Sequence, residues 1–308
     1  MSTGFEFLQP PRELTPAELE SNLPKLLGLY TSFFALAIIS VVVRLYTRIC
    51  IVKITHADDV VVALAGVMTI LSFVTFVRQG YYGLGRHWPA LTRDKWSSVT
   101  ELAWFQSVTL VLGVSLLKIS LALSLLRLSQ ARWYTITQWV LIVFICMYTA
   151  MGIIVFLLQC RPLKALWMPE LLFSGQATCI DFRIFIKMGV ANTSFNILTD
   201  VLTATLPIPT IVRLNMPLKT RMYLIFILGL GYIAVALGIV KAFFQIAFSS
   251  EQDGLYEYNV QTFAFLQLTV ATMTACAPTL RPLLSRVLKL SSGRRSSREY
   301  YATIHTRR

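Results

Sequence analysis

Three polar side chains interrupt an otherwise apolar stretch, KMGVANTSFNILTDVLTATLPIPTIVRL, residues 187–214: Asn192, Asn196 and Asp200. Spaced by four, they fall on one face of a helix. A carboxylate held in hydrocarbon is costly, so Asp200 requires a cation or a water-filled cavity. Lys118 and Lys241 lie well inside two other apolar runs, and Asp200 is the acid the sequence places at comparable depth. The expectation is that Asp200 pairs with one of the two lysines, and the sequence does not choose between them. Such a pair suits a structural brace as well as a ligand site. In a pocket with Asn196 and Lys118, an acid at this place could also protonate an alkene or epoxide. Lys187 stands near its helix end and can snorkel.

A second charged group lies at the start of another apolar run, Asp58 and Asp59. Carboxylates there satisfy helix N-terminal N–H groups. They are equally placed for an ionic contact with Arg44, Arg48 or the basic tail, giving a cytoplasmic ionic cluster. Cys160 and Cys179 share one loop, while Cys50, Cys146 and Cys276 lie in or near apolar runs or on the opposite side. The loop pair is therefore expected to form a disulfide if that loop faces an oxidising compartment. The Asn192-Thr193-Ser194 triplet matches a glycosylation pattern, but inside a span it goes unused. The three histidines, His56, His87 and His305, show no ligand spacing, and no metal site is expected. The chain has neither a phosphate-cradling glycine loop nor a nucleophile elbow.

The elements that hold these residues are long apolar helices. Hydrophobic residues make up 56% of the 308 positions and charged residues 14%, with a mean hydropathy of +0.64. A soluble domain carries roughly 25% charged residues, so this chain has too little charge to cover a water-facing surface. It reads as an all-α, polytopic integral membrane bundle of seven transmembrane helices. The spans are about Leu26–Val43, Asp58–Arg78, Glu101–Leu126, Trp133–Leu158, Lys187 to a stop at Pro207-Ile208-Pro209, Tyr223–Phe248 and Val260–Leu284. A polar tail (1–24) with a Thr15–Glu18 capping box precedes the bundle (25–285), and a basic cytoplasmic tail expected to be disordered (286–308) follows it. The excess of Lys and Arg puts the C-terminus in the cytoplasm and, with seven spans, the N-terminus outside. Much of the net charge of +13 is in the final segment, which suits anionic lipid or a cytoplasmic signalling partner and not nucleic acid.

The motifs RLYTR at 44–48, Asp58-Asp59, GLGRH at 83–87 and Lys118 with Ser120 leading into LLRL at 125–128 form one series. Cys160-Arg161-Pro162, Trp167, Cys179, Asn196, Asp200, LPIP at 206–209 and PTLRPL at 278–283 complete it. In order and spacing the series resembles the fungal rhodopsin-domain family, which includes Pth-eleven-like receptor candidates and satratoxin-cluster-type membrane proteins. The resemblance implies a seven-helix membrane protein that senses an external or lipophilic small molecule, or one that serves a secondary-metabolite cluster as a membrane enzyme or accessory protein. The chain departs from the family's pattern at Lys241, where an arginine is usual, and near Gln267, where an acid is frequent. Whether it is an enzyme stays open. A third class, a small-molecule carrier, lacks the internal repeat such folds carry. Residues 260–284 contain no lysine, so no retinal Schiff base, and hence no cofactor, is expected. The third helix ends Leu126-Arg127-Leu128, without the acidic-Arg-Tyr pattern of G-protein-coupled receptors. The expected location is a multi-pass position in the plasma membrane, with the endoplasmic reticulum as the alternative.

Overall fold

The computed structural model describes residues 21–53, 56–87, 91–126, 132–206, 208, 218–247 and 258–278. The Thr15–Glu18 capping box, Pro207 and Pro209, the acidic connector with Glu251, Asp253 and Glu257, and the basic tail lie outside these residues.

Helix α1 spans Leu23–Tyr46 and continues as a π-helical turn, Thr47–Val52. Helix α2 spans Ala57–Tyr82, α3 Arg93–Leu126 and α4 Arg132–Leu158. A two-stranded hairpin follows, β1 (Cys160–Arg161) antiparallel to β2 (Thr178–Cys179), enclosing a 3-10 turn and the one-turn helix α5 (Glu170–Phe173). Helix α6 spans Phe182–Thr205, α7 Leu218–Ala247 and α8 Asn259–Pro278. Among the described residues, six helices are long and apolar enough to cross a membrane: α1 with its π turn, α2, α3, α4, α7 and α8. Helix α6 has 24 residues, as many as α1, but it is more polar and is not among the six.

Each helix begins ahead of the apolar stretch from which its start was read. Helix α3 begins at Arg93, eight positions before Glu101. Its 34 residues would measure about 51 Å, well beyond a hydrocarbon core of about 30 Å. Helix α6 begins at Phe182 because Asp181 caps it, its Oδ1 accepting from the Arg183 N–H at 2.8 Å. Hydropathy marks where lipid contact starts; backbone hydrogen bonding carries a helix past that point.

Burial sorts the helices. Within its most apolar window α8 is 72% buried, against 17–44% for the other five spans, so it is the centre of the bundle. Helices α2 and α3 pack along each other, as do α6 and α7. Leu36, Ile39, Val60, Val67, Val143 and Ile154 point outward although large and apolar. Such a surface suits lipid, where outward apolar side chains carry no penalty. At the end of the bundle bearing the α2–α3 connector, Tyr30 of α1 is stacked on Phe76 at 3.7 Å and on Phe265 at 4.3 Å. Gly85 permits the tight approach there: its φ is +81°, and a Cβ would stand 2.8 Å from the Leu23 nitrogen.

Candidate functional site

Lys118 of α3 is 4% exposed and reaches across to α6. Its Nζ donates to the Asn196 carbonyl (2.7 Å), Asn196 Oδ1 (2.6 Å) and Thr199 Oγ1 (2.7 Å), and lies 2.9 Å from Asp200 Oδ1. The second Asp200 oxygen accepts from Gln267 Nε2 of α8 at 2.8 Å. Three helices thus meet at one ion pair. An ammonium has three protons, and four oxygens surround this one, so its charge is well compensated away from water. Between the two candidate lysines, Lys118 holds Asp200.

Asn192 takes a different partner. Its Nδ2 donates to the Tyr148 carbonyl of α4 at 3.0 Å. Gly152 leaves room for that contact, because a Cβ there would stand 2.6 Å from Asn192 Nδ2. The buried stripe of α6 is Thr193, Asn196, Thr199 and Thr203. The sequence offered no reason to single out Thr193 and Thr199, since threonine in a helix ordinarily bonds its own backbone. Thr199 does so, to Phe195, while also accepting from Lys118. Thr193 Oγ1 donates to Gln245 Oε1 of α7 at 2.8 Å.

Beside the ion pair lies a cavity of about 110 Å³ among α3, α4, α6, α7 and α8. Its wall is mostly apolar, with Leu110, Val114, Met151 and Phe185. Its polar members include Asn192, Asn196, Lys241, Gln245, Gln261 and Gln267. Lys187, by contrast, is exposed near the start of α6.

The second charged group gathers at the other end of α2. Arg44, fully buried, places Nη2 2.7 Å from Asp58 Oδ2 and 3.0 Å from Asp59 Oδ1. Its Nη1 donates to the Ala275 carbonyl of α8 at 2.5 Å. Arg48 adds longer contacts, 3.7 Å to Asp58 and 3.4 Å to Asp59. Ser120 donates to the Asp58 carbonyl and Ser124 to Asp58 Oδ2, at 2.9 and 3.0 Å. Asp59 also caps α2, accepting from the His56 N–H at 3.1 Å. Both readings of these carboxylates, cap and ionic contact, therefore describe real contacts. The expectation that Asp200 is the one acid buried as deeply as the lysines is corrected: the Asp58 and Asp59 side chains are 0% and 4% exposed, and that of Asp200 10%. Hydropathy misjudged them because they sit at a helix start, where the bundle and not water covers them. Ligand atoms of His56, Asp58 and Asp59 come within 4.8 Å of one another, but the two guanidiniums already engage both carboxylates.

At the far end, Cys160 and Cys179 face each other across the hairpin and form a disulfide. Trp167 folds the loop against α3, its ring 6.5 Å from that of Trp104. A third polar cluster escaped the sequence reading. Gln79 Nε2 donates to Gln106 Oε1 at 2.5 Å, and the Tyr258 hydroxyl contacts both glutamines at 2.7 and 2.8 Å. These residues are neutral and far apart in sequence, so no spacing links them.

No solved structure matches the chain. Over 128 residues it is 28% identical to "Fugralins biosynthesis cluster protein 2" of Gibberella zeae, a stretch of 41% of this chain and 30% of that protein. The match therefore covers under a third of that relative's length. The family model of the fungal rhodopsin domain matches residues 43–286, a range holding Arg44, Lys118, Asp200, the disulfide and every residue of the cavity wall. By that match the chain belongs to the fungal rhodopsin-domain family.

Proposed function

We propose that this membrane protein is a receptor-like sensor that binds a small molecule in the cavity beside Lys118 and Asp200. One observation carries the reading. Asn196 and Gln267 line the cavity and also hold the ion pair, Asn196 on Lys118 and Gln267 on Asp200. A ligand touching either amide competes directly with the contacts that join α3, α6 and α8. Ligand binding shifts a helix arrangement only through such differential contacts. Helix α6 serves as the seventh span in this reading: its polar stripe faces α3 and α7, while Phe195, Leu198 and Leu202 face outward. The disulfide suits a hairpin on an oxidising side, whether the cell exterior or a lumen, which sets the Arg44 cluster on the cytoplasmic side; the sensor reading places the protein in the plasma membrane.

The test is ligand-dependent thermal stabilisation of the purified chain, compared with variants that narrow the cavity, Gly152→Leu and Gly189→Leu. Stabilisation lost in both variants supports the cavity. Stabilisation retained in both overturns it.

A second reading rests on the relative, whose name assigns it to a biosynthetic cluster. An accessory or enzymatic role in a secondary-metabolite cluster would use the same cavity for a lipophilic intermediate. Deletion in the native host separates the two. A missing or stalled metabolite supports cluster function, whereas an intact metabolome with a lost response to an external cue supports the sensor.

A further inference from the structure

We propose that Lys241 and Gln245 form a carboxylate clamp in this cavity, so that its ligand is an amphipathic acid; the inference rests on the cavity being a small-molecule site. The two residues stand one helical turn apart on α7 and both line the cavity. Among the described residues Lys241 has neither a hydrogen bond nor an ion pair. Its natural partner is taken, since both Asp200 oxygens are engaged, one by Lys118 and one by Gln267. Among the described residues no acid lines the cavity. Among the described residues, then, two lysines share one carboxylate here. A cation at membrane depth with no hydrogen-bond or ion-pair partner of its own is costly and is favoured by an added anion.

Gln245 supplies the second donor. Its Oε1 accepts from Thr193, which fixes the amide and leaves Nε2 as a donor with no acceptor among the described residues. Gly189 makes space for that group: a Cβ there would stand 2.3 Å from Gln245 Nε2. An amine and an amide N–H, one turn apart, match the two oxygens of one carboxylate. The rest of the wall, with Leu110, Val114, Met151 and Phe185, suits an apolar body. A cavity of about 110 Å³ approaches the one of about 150 Å³ known to admit benzene. The enclosed part of the ligand is thus a ring or a short chain.

The acid has two possible sources, water or the bilayer, and the test separates them. The purified full-length protein in detergent is titrated with benzoate, with oleate, and with benzamide, the uncharged isostere of benzoate. Thermal unfolding is followed by tryptophan fluorescence. Benzoate or oleate should raise the midpoint and benzamide should not. Benzoate alone indicates a water-borne acid, and oleate alone a bilayer-borne acid whose tail leaves the cavity; either result supports the clamp. Lys241→Met should weaken the carboxylate by roughly tenfold or more, Lys241→Arg should retain it, and Gln245→Glu, which keeps the Thr193 contact but adds a negative charge, should abolish it. Equal stabilisation by benzamide and benzoate, or undiminished carboxylate binding in Lys241→Met, overturns the clamp and leaves the cavity standing. No shift with any of the three compounds overturns the clamp and the small-molecule reading together.

Discussion

Asn196 binds Lys118 twice, through its backbone carbonyl and its side-chain oxygen, while the same side chain forms part of the cavity wall. That double contact couples the cavity to a buried charge. Four oxygens share the ammonium in a low-dielectric setting, and removing one of them unbalances the rest.

Asp200→Asn tests this balance. The substitution keeps the shape and removes the negative charge, leaving Lys118 buried against neutral oxygens. Breaking one side of a buried pair costs about 3 kcal/mol or more, so the thermal midpoint in detergent should fall by several degrees. Adding Lys118→Met removes the stranded cation and should restore part of the loss. A single mutant as stable as the parent, or a double mutant at the simple sum of both losses, would show that the pair is not coupled.

Arg44 is the other load on the bundle. Its guanidinium meets Asp58, Asp59 and the Ala275 carbonyl from one buried position. Lysine retains the charge but cannot present that fork. Arg44→Lys should cost about 2 kcal/mol or more, seen as a lower midpoint and reduced yield of monodisperse protein. Arg48, 19% exposed and at longer range, should tolerate glutamine with a loss of about 1 kcal/mol or less. The idea fails if the two substitutions cost the same.

How much of this was legible beforehand depends on the kind of signal. Apolar runs revealed the helices, and the expense of a charge in lipid singled out Asp200 and Lys118. Cysteine placement gave the disulfide. The choice of Lys118 over Lys241 was not legible, because it depends on how α3 and α7 are rotated about their axes. Arg44 reaching Ala275 was equally hidden, the two being separated by 231 positions in sequence. Gln79, Gln106 and Tyr258 stayed invisible for a different reason: neutral polar residues are inexpensive enough in a span to draw no notice, and only packing turns them into a cluster.

Thiol labelling offers a direct check on the hairpin. Without reductant, Cys160 and Cys179 should resist a maleimide, while Cys50 and Cys146, which are exposed on the bundle, should label in detergent. With reductant the first pair should react. Cys276, a buried thiol, should label only after unfolding. Removing the bridge with serines should cost about 2–4 kcal/mol. Labelling of Cys160 and Cys179 that is indifferent to reductant would remove the bridge from the protein.

Gly152 gives the finest test of packing between α4 and α6. An alanine there would place its Cβ 2.6 Å from Asn192 Nδ2 and push that amide away from the Tyr148 carbonyl. The clash and the lost hydrogen bond should together cost about 1–3 kcal/mol. Asn192→Ala removes the amide and the clash at once, so Gly152→Ala should be nearly neutral in that background. The double-mutant cycle reads this as a coupling of about 1 kcal/mol or more. Additive losses would mean that Gly152 serves the close approach of the helices themselves and not the Asn192 side chain. Because both residues line the cavity, the cycle should be repeated with a stabilising ligand present; occupancy by that ligand should change the coupling if Asn192 belongs to the binding wall.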